Sequence, residues 1–146
     1  MTKTSGDSHT PVNWRPRMQG GKQRWCALVH CASESDHGWM PIGVIANPAP
    51  ADRSYGDATF FGWAGNSNGQ VYVAGACKRG LGGWTRWRSG DRADLELDCG
   101  AGTLTMRHQR LGKTFTLTGL PTAAGTTWYA HANLYRQGDS VEFLRQ

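Results

Sequence analysis

Tryptophan and arginine alternate in Trp84-Thr85-Arg86-Trp87-Arg88, with Arg79 a few residues upstream. Guanidinium groups among indole rings can grip a carboxylate bidentately or stack on a ring. The segment therefore reads either as a cationic, aromatic surface for a partner or as a solvated hairpin with internal cation–π pairs. Trp39 follows the polar run Ser33-Glu34-Ser35-Asp36-His37-Gly38, and Trp84 follows Gly80-Leu81-Gly82-Gly83. A tryptophan on such a loop offers a large apolar face at low entropy cost. Trp39, Trp84, Trp87 and Trp128 are thus candidate anchors, each with the alternative of capping the core. Trp25 and Trp63 sit inside strand-like runs and read as core.

Other constellations carry less. Cys26, His30, Cys31 and His37 suggest zinc by type, but in a strand Cys26 and His30 share a face while Cys31 takes the other. Gly112-Lys113-Thr114 imitates the end of a phosphate-binding loop. Arg107 stands where the loop's first glycine belongs, and Thr114 to Leu117 alternates as a strand rather than opening a helix. Asp94, Glu96 and Asp98 could mimic a glycosidase pair, but acidic residues at period two make a wet sheet face. No Gly-x-Ser-x-Gly occurs, and His9, His30, His37, His108 and His131 lack a nucleophile partner in sequence. No catalytic residue, metal or cofactor is expected.

The elements that must position these residues are strands. The 146 residues suffice for one domain with a hydrophobic core, and 20 glycines and seven tryptophans against 18% charged residues suit strands and tight turns. The net charge of +5 comes mostly from arginine and is dispersed, with no basic run of the kind that marks a nucleic-acid tail. Four cysteines lie at 26, 31, 77 and 99 without a C-x-x-C pair, and are expected as free thiols. The polar opening residues carry no secretory signal, and no apolar stretch approaches a bilayer span, so an intracellular protein off the membrane is expected.

Residues 1–21, polar and proline-containing, read as a flexible arm, with the folded domain at 22–146. Arg24 to His30 reads as a central strand and Ile42 to Ala46 as a second. Thr59 to Ala64 and Gln70 to Ala74 flank Asn68-Gly69, which favours a type I′ hairpin turn. Arg92 to Asp98 alternates strictly, with Ala93, Leu95 and Leu97 facing one way. Leu104 and Met106, then Phe115 and Leu117, continue that face. Tyr129 to Leu134 and Ser140 to Leu144 complete about eight strands, enough for two packed sheets.

In this order the segments resemble the SPRY family. Trp87-Arg88-Ser89-Gly90-Asp91, then Leu95-Glu96-Leu97-Asp98 and Gly102-Thr103-Leu104, is similar to the pattern in which Gly-Asp opens a strand ending in Asp and a Gly-Thr-Leu hairpin follows. Leu111-Gly112-Lys113-Thr114-Phe115, Gly119-Leu120-Pro121 and Trp128-Tyr129-Ala130 resemble the succeeding elements. Gly21-Lys22 with Arg24-Trp25, and Pro41-Ile42-Gly43-Val44, resemble the earlier ones. Gln109-Arg110 replaces the usual Asn-Gly of the hairpin, and the Glu expected after the first strand's aromatic is absent.

The resemblance implies an all-β, two-sheet antiparallel bent sandwich of the concanavalin-like kind. It further implies a minimal SPRY module that binds a protein or peptide through loops at one edge, in an adaptor or scaffold role. By position Tyr55 and Tyr135 resemble aromatics that line the peptide pocket in SOCS-box-type members, Tyr135 standing in the place of a Trp. The expected partner-binding residues are therefore Trp39, Tyr55, Arg79, Trp84, Arg86, Trp87, Trp128 and Tyr135. Two other readings stay open: a carbohydrate-binding, lectin-like sandwich and an accessory RNA-binding subunit.

Overall fold

The computed structural model describes residues 1–32, 39–65 and 68–146. The polar run at residues 33–38, which includes His37, lies outside the described residues. Eleven strands are described: β1 Thr10–Met18, β2 Lys22–His30, β3 Ile42–Ile45, β4 Phe61–Trp63, β5 Gln70–Val73, β6 Ala76–Arg79, β7 Arg92–Asp98, β8 Thr103–His108, β9 Lys113–Leu117, β10 Trp128–Leu134 and β11 Ser140–Arg145. They form two antiparallel sheets, in the orders β1-β10-β3-β4-β5-β6 and β11-β2-β7-β8-β9. The architecture is a β-sandwich, as the sequence led us to expect.

Pleating explains the core. In β7 the odd residues Ala93, Leu95 and Leu97 are buried while the even, polar ones are half-buried. Register carries that face across the second sheet: Trp25 opposes Leu95, Leu95 opposes Met106, and Met106 opposes Phe115. All four are buried. They pack on the inward residues of the first sheet, among them Val44, Phe61, Trp63, Val71 and Trp128.

Residues 1–21, read as a flexible arm, instead contribute a strand to the first sheet. Thr10 to Trp14 pairs with Leu134 to Ala130 of β10, and Met18 pairs with Trp128. Lys3 is buried, donating to Ser8 Oγ at 3.1 Å and Thr10 Oγ1 at 2.9 Å. Pro11 and Pro16 argued against a strand, but β1 lies at a sheet edge, where a missing N–H is tolerated. β6 was also missed, because all four of its residues are exposed and no alternation marks them. No disulfide links the cysteines among the described residues; Cys26 and Cys31 are buried and Cys77 is exposed.

One buried charge organises the start of β7. Asp91 is 3% exposed and accepts hydrogen bonds from Arg110 Nε at 2.7 Å, Arg110 Nη2 at 3.0 Å and the Arg88 amide at 2.7 Å. His108 Nε2 lies 3.1 Å from the same carboxylate, and the Leu111 amide donates to His108 Nδ1. Nδ1 is therefore an acceptor, so Nε2 carries the proton and donates to Asp91. Burial alone would raise the Asp91 carboxyl, but the donors from His108, Arg110 and Arg88 overcome it and hold the carboxyl well below the usual range.

That depression fixes a sign. The unfolded carboxylate takes up a proton near pH 3.9 and the folded one only lower, so the stabilisation is complete above about pH 4 and is lost as pH falls. Asp91→Asn should cost on the order of 3 kcal/mol at neutral pH. In urea melts the gap to the parent protein should narrow below about pH 4. A gap of equal size at about pH 3 would show that the charge is not what stabilises.

Candidate functional site

The first sheet turns its outer face toward a loop at residues 46–60. β10 is buried along its whole length: Trp128, Ala130, Ala132 and Leu134 face the core, while Tyr129, His131 and Asn133 face the loop. Burying polar side chains requires partners for them. Ser54, in a 3-10 turn at Ser54–Gly56, donates to His131 Nε2 at 2.7 Å, and His131 Nδ1 donates to Asn13 Oδ1 at 2.6 Å. Asn133 Nδ2 donates to Ser54 Oγ and to the Asp52 carbonyl, each at 2.7 Å. Burial pushes His131 down to about 3, so the imidazole is neutral at physiological pH.

Sequence gave His131 no nucleophile partner, whereas the fold brings Ser54 to it and Asn13 behind it. Serine, imidazole and an orienting amide stand in the order of an activated nucleophile. Ser54 is 1% exposed and His131 wholly buried, so in this arrangement no substrate carbonyl reaches the hydroxyl. The network instead anchors the loop, and with it Tyr55, onto β10 and β1.

Beside that anchor the aromatics converge. Trp39 and Tyr55 meet at 89° with ring centroids 5.1 Å apart, and Tyr135 stands 6.1 Å from Trp39 at 84°. His9, one residue before β1, sits among all three at 4.8 to 5.2 Å. Tyr72 closes the floor, 5.4 Å from Tyr55. Edge-to-face geometry is the favoured arrangement for such rings. Trp39 Nε1 donates to Gln70 Oε1 at 2.5 Å, which fixes the indole. Trp39, Tyr55 and Tyr135 are half-buried, so the recess is lined by rings that still reach solvent.

Cations rim the recess. The Arg136 guanidinium lies 5.3 Å over the Tyr135 ring and pairs with Asp7 at 2.6 Å. Arg79, exposed, is the register partner of Gln70 across the β5–β6 pair. Burial pushes the His9 imidazole below its ordinary value. His9 Nδ1 and Asn133 Oδ1 face each other, but neither makes a hydrogen bond of good geometry.

The expected partner residues therefore divide. Trp39, Tyr55 and Tyr135 come together, with Arg79 at their margin. Trp84, Trp87 and Trp128 are 2%, 0% and 1% exposed and belong to the core. Trp84 and Trp87 meet at 4.8 Å, and Trp84 Nε1 donates to the Ala64 carbonyl while Trp87 Nε1 donates to that of Trp63. Gly69 makes room for this: a Cβ there would sit 1.9 Å from the Trp84 carbonyl oxygen. The glycine-rich loop thus delivers Trp84 inward. Arg86 is half-buried, and its carbonyl accepts from Arg110 Nη2 at 3.1 Å. It stands with the Asp91 cluster, apart from the aromatics.

Sequence reading missed His9, Gln70, Tyr72 and Arg136. Gln70 and Tyr72 were legible as the outward positions opposite Val71 and Val73. His9 was not, because its place depends on the register of β1.

No family model matches the chain, and no curated protein matches it in sequence. Solved structures do match in shape. The SPRY domain of human HERC1 superposes with a TM-score of 0.73 at 15% identity, over 95% of this chain and 84% of that one. The TRIM65 PSpry domain gives 0.66 at 16% identity, over 93% and 70%. The chain has a SPRY-like fold, in agreement with the motif succession from Gly21-Lys22 to Trp128-Tyr129-Ala130.

Two stability measurements separate core from recess. Trp84→Ala should cost about 3–5 kcal/mol in urea unfolding, and Trp39→Ala, at a half-buried position, clearly less. Equal losses would place Trp39 in the core. For His131, the unfolded imidazole titrates near 6.5, so protons bind the unfolded chain first and stability falls as pH drops below that value. His131→Gln should flatten this slope by up to about 1.4 kcal/mol per pH unit between about pH 6.5 and 4. An unchanged slope would assign the proton uptake elsewhere.

Proposed function

We propose that this domain is a protein-interaction module that receives an extended segment of a partner protein at the recess of Trp39, Tyr55 and Tyr135. The observation that carries the reading is the packing of those rings with His9 at a loop-roofed edge. Aromatic side chains reaching solvent beside cations are the composition of interface hot spots. The SPRY-like fold supports the same reading, and the role that follows is that of an adaptor which binds without transforming its ligand.

The rings are held by the Trp39–Gln70 hydrogen bond and the Ser54 anchor, so little ordering entropy is lost when a ligand arrives. His9 occupies the centre of the ring cluster, where a partner's side chain of similar size and polarity is the natural replacement. Arg79 and Arg136 at the rim favour a ligand with acidic flanks. Among the described residues no helix is long and apolar enough to cross a membrane.

Peptides selected from a random display library against the domain test the proposal. Trp39→Ala should weaken their binding by about 2 kcal/mol or more, while Arg79→Ala should chiefly slow association and reduce its dependence on salt. Glu96→Gln, on the second sheet, is the control and should change neither. Selected peptides that bind equally well to Trp39→Ala, Tyr55→Ala and Tyr135→Ala would move the site elsewhere. Selection of glycans but no peptides on parallel arrays would replace this reading with the lectin one.

A further inference from the structure

At the far end of β10 from the aromatic recess, the same outer face carries a groove of about 380 Å³. Tyr129 in the groove and Tyr135, one residue past β10, are six residues apart and so roughly 20 Å from each other, while Pro11 at the near end of the groove lies two residues from His9. One wall is β1, with Asn13, Arg15 and Arg17, and the other is Pro48-Ala49-Pro50; Tyr129 also lines it.

β1 departs from regular pairing here. Trp14 opposes Ala130 and Met18 opposes Trp128, so β1 takes four steps where β10 takes two. Arg15-Pro16-Arg17 thus stands opposite the single residue Tyr129, a surplus of two, and is released from the ladder as a bulge. Such bulges re-aim side chains. Both arginines are exposed, both line the groove, and neither makes an ion pair or side-chain hydrogen bond to any described residue. Two arginines of the second sheet differ: Arg24 pairs with Glu96 and Arg92 with Asp94.

The opposite wall is stiff. Asn13 Nδ2 donates to the Asn47 and Pro48 carbonyls at 3.1 and 3.3 Å, and Asn47 Nδ2 donates to Asp57 Oδ2 at 2.8 Å. Pro48 and Pro50 fix their own φ. The groove thus stands formed before any ligand arrives.

We infer that this groove docks an extended, acidic segment of a protein, with carboxylates at alternate residues engaging Arg15 and Arg17. Spacing selects the ligand: arginines at i and i+2 on one face match side chains two residues apart on an extended chain. Guanidinium recognises carboxylate bidentately, which rewards geometry as well as charge. Two cations facing an apolar proline wall fit a peptide better than a nucleic acid, whose phosphate track calls for a row of them. The groove shares no lining residue with the aromatic recess and does not rest on the reading of that recess.

The probe is a fluorescein-labelled octapeptide of alternating glutamate and serine, followed by fluorescence anisotropy at about 50 mM salt. The parent protein should bind it and should not bind the glutamine counterpart. Arg15→Ala/Arg17→Ala should weaken binding at least about tenfold, and Arg15→Lys/Arg17→Lys several-fold although the charge is kept. Lys78→Ala/Arg107→Ala, which removes equal charge elsewhere, should stay within about twofold. Amide shifts in a two-dimensional NMR titration should centre on Arg15, Arg17 and Ala49, and the same spectra verify that each variant is folded. Failure of the parent protein to bind, or equal weakening by the two alanine pairs, would overturn the proposal. So would tighter binding of an oligothymidylate of equal charge that is lost in Arg15→Ala/Arg17→Ala, since the groove would then be a nucleic-acid contact.

Discussion

A neutral imidazole beneath the loop at residues 46–60 ties together the parts of the molecule that carry its chemistry. His131 accepts from Ser54 and donates to Asn13, which joins β10, β1 and the loop through one ring. The ring is useful because it is uncharged: a buried imidazolium here would need a counter-charge, whereas a neutral ring offers one donor and one acceptor to two neutral partners. Asn133 completes the set by donating to Ser54 and Asp52. Tyr55 follows Ser54, Tyr135 lies two residues past Asn133, and His9 lies four before Asn13. The aromatic recess is therefore built on positions adjacent to a satisfied polar network, and its geometry inherits that network's rigidity.

The second sheet solves a similar problem with a charge. Asp91 is buried and ionised, with Arg110, His108 and the Arg88 amide as donors. The two tryptophans above this cluster, Trp84 and Trp87, pack on the His108 ring at 5.6 and 5.4 Å. The indoles cover the His108 side of the cluster, and the cluster fixes the turn that aims the indoles inward. This explains why an arginine- and tryptophan-rich segment that looked like a gripping surface is mostly scaffold. Its aromatic half is spent on the core.

What the sequence made legible follows from this physics. β7, β8 and β9 were readable because each has one wet face and one dry face, and the register row from Trp25 to Phe115 keeps them in phase. β1 was hidden by its prolines and β6 by its uniform exposure, since neither has the alternation that marks a half-buried strand. β10 was recognised, but not its double burial, because the cover over Tyr129, His131 and Asn133 comes from a loop that no periodicity announces. Tryptophan identity alone could not separate recess from core. Burial makes the separation, and for three of them the indole N–H follows it: Trp84 and Trp87 donate to buried backbone carbonyls, and Trp39 donates to the Gln70 side chain on the outer face.

The two outer faces are built differently, and both candidate sites fall on one of them. On the second sheet the outward charges of β2 and β7 are matched to each other: Lys22 with Glu96 and Asp98, Arg24 with Glu96, Arg92 with Asp94. Such pairs add little stability. On the first sheet the 46–60 loop covers the middle of the face and leaves its two ends uncovered. One end presents rings, whose contacts govern how slowly a ligand leaves; the other presents unmatched cations, whose field governs how quickly it arrives. Tyr129 at one end and Tyr135 at the other are roughly 20 Å apart, so an extended chain of about seven residues is long enough to reach from one to the other. A single loop, pinned by one neutral histidine, thereby sets the spacing between the two.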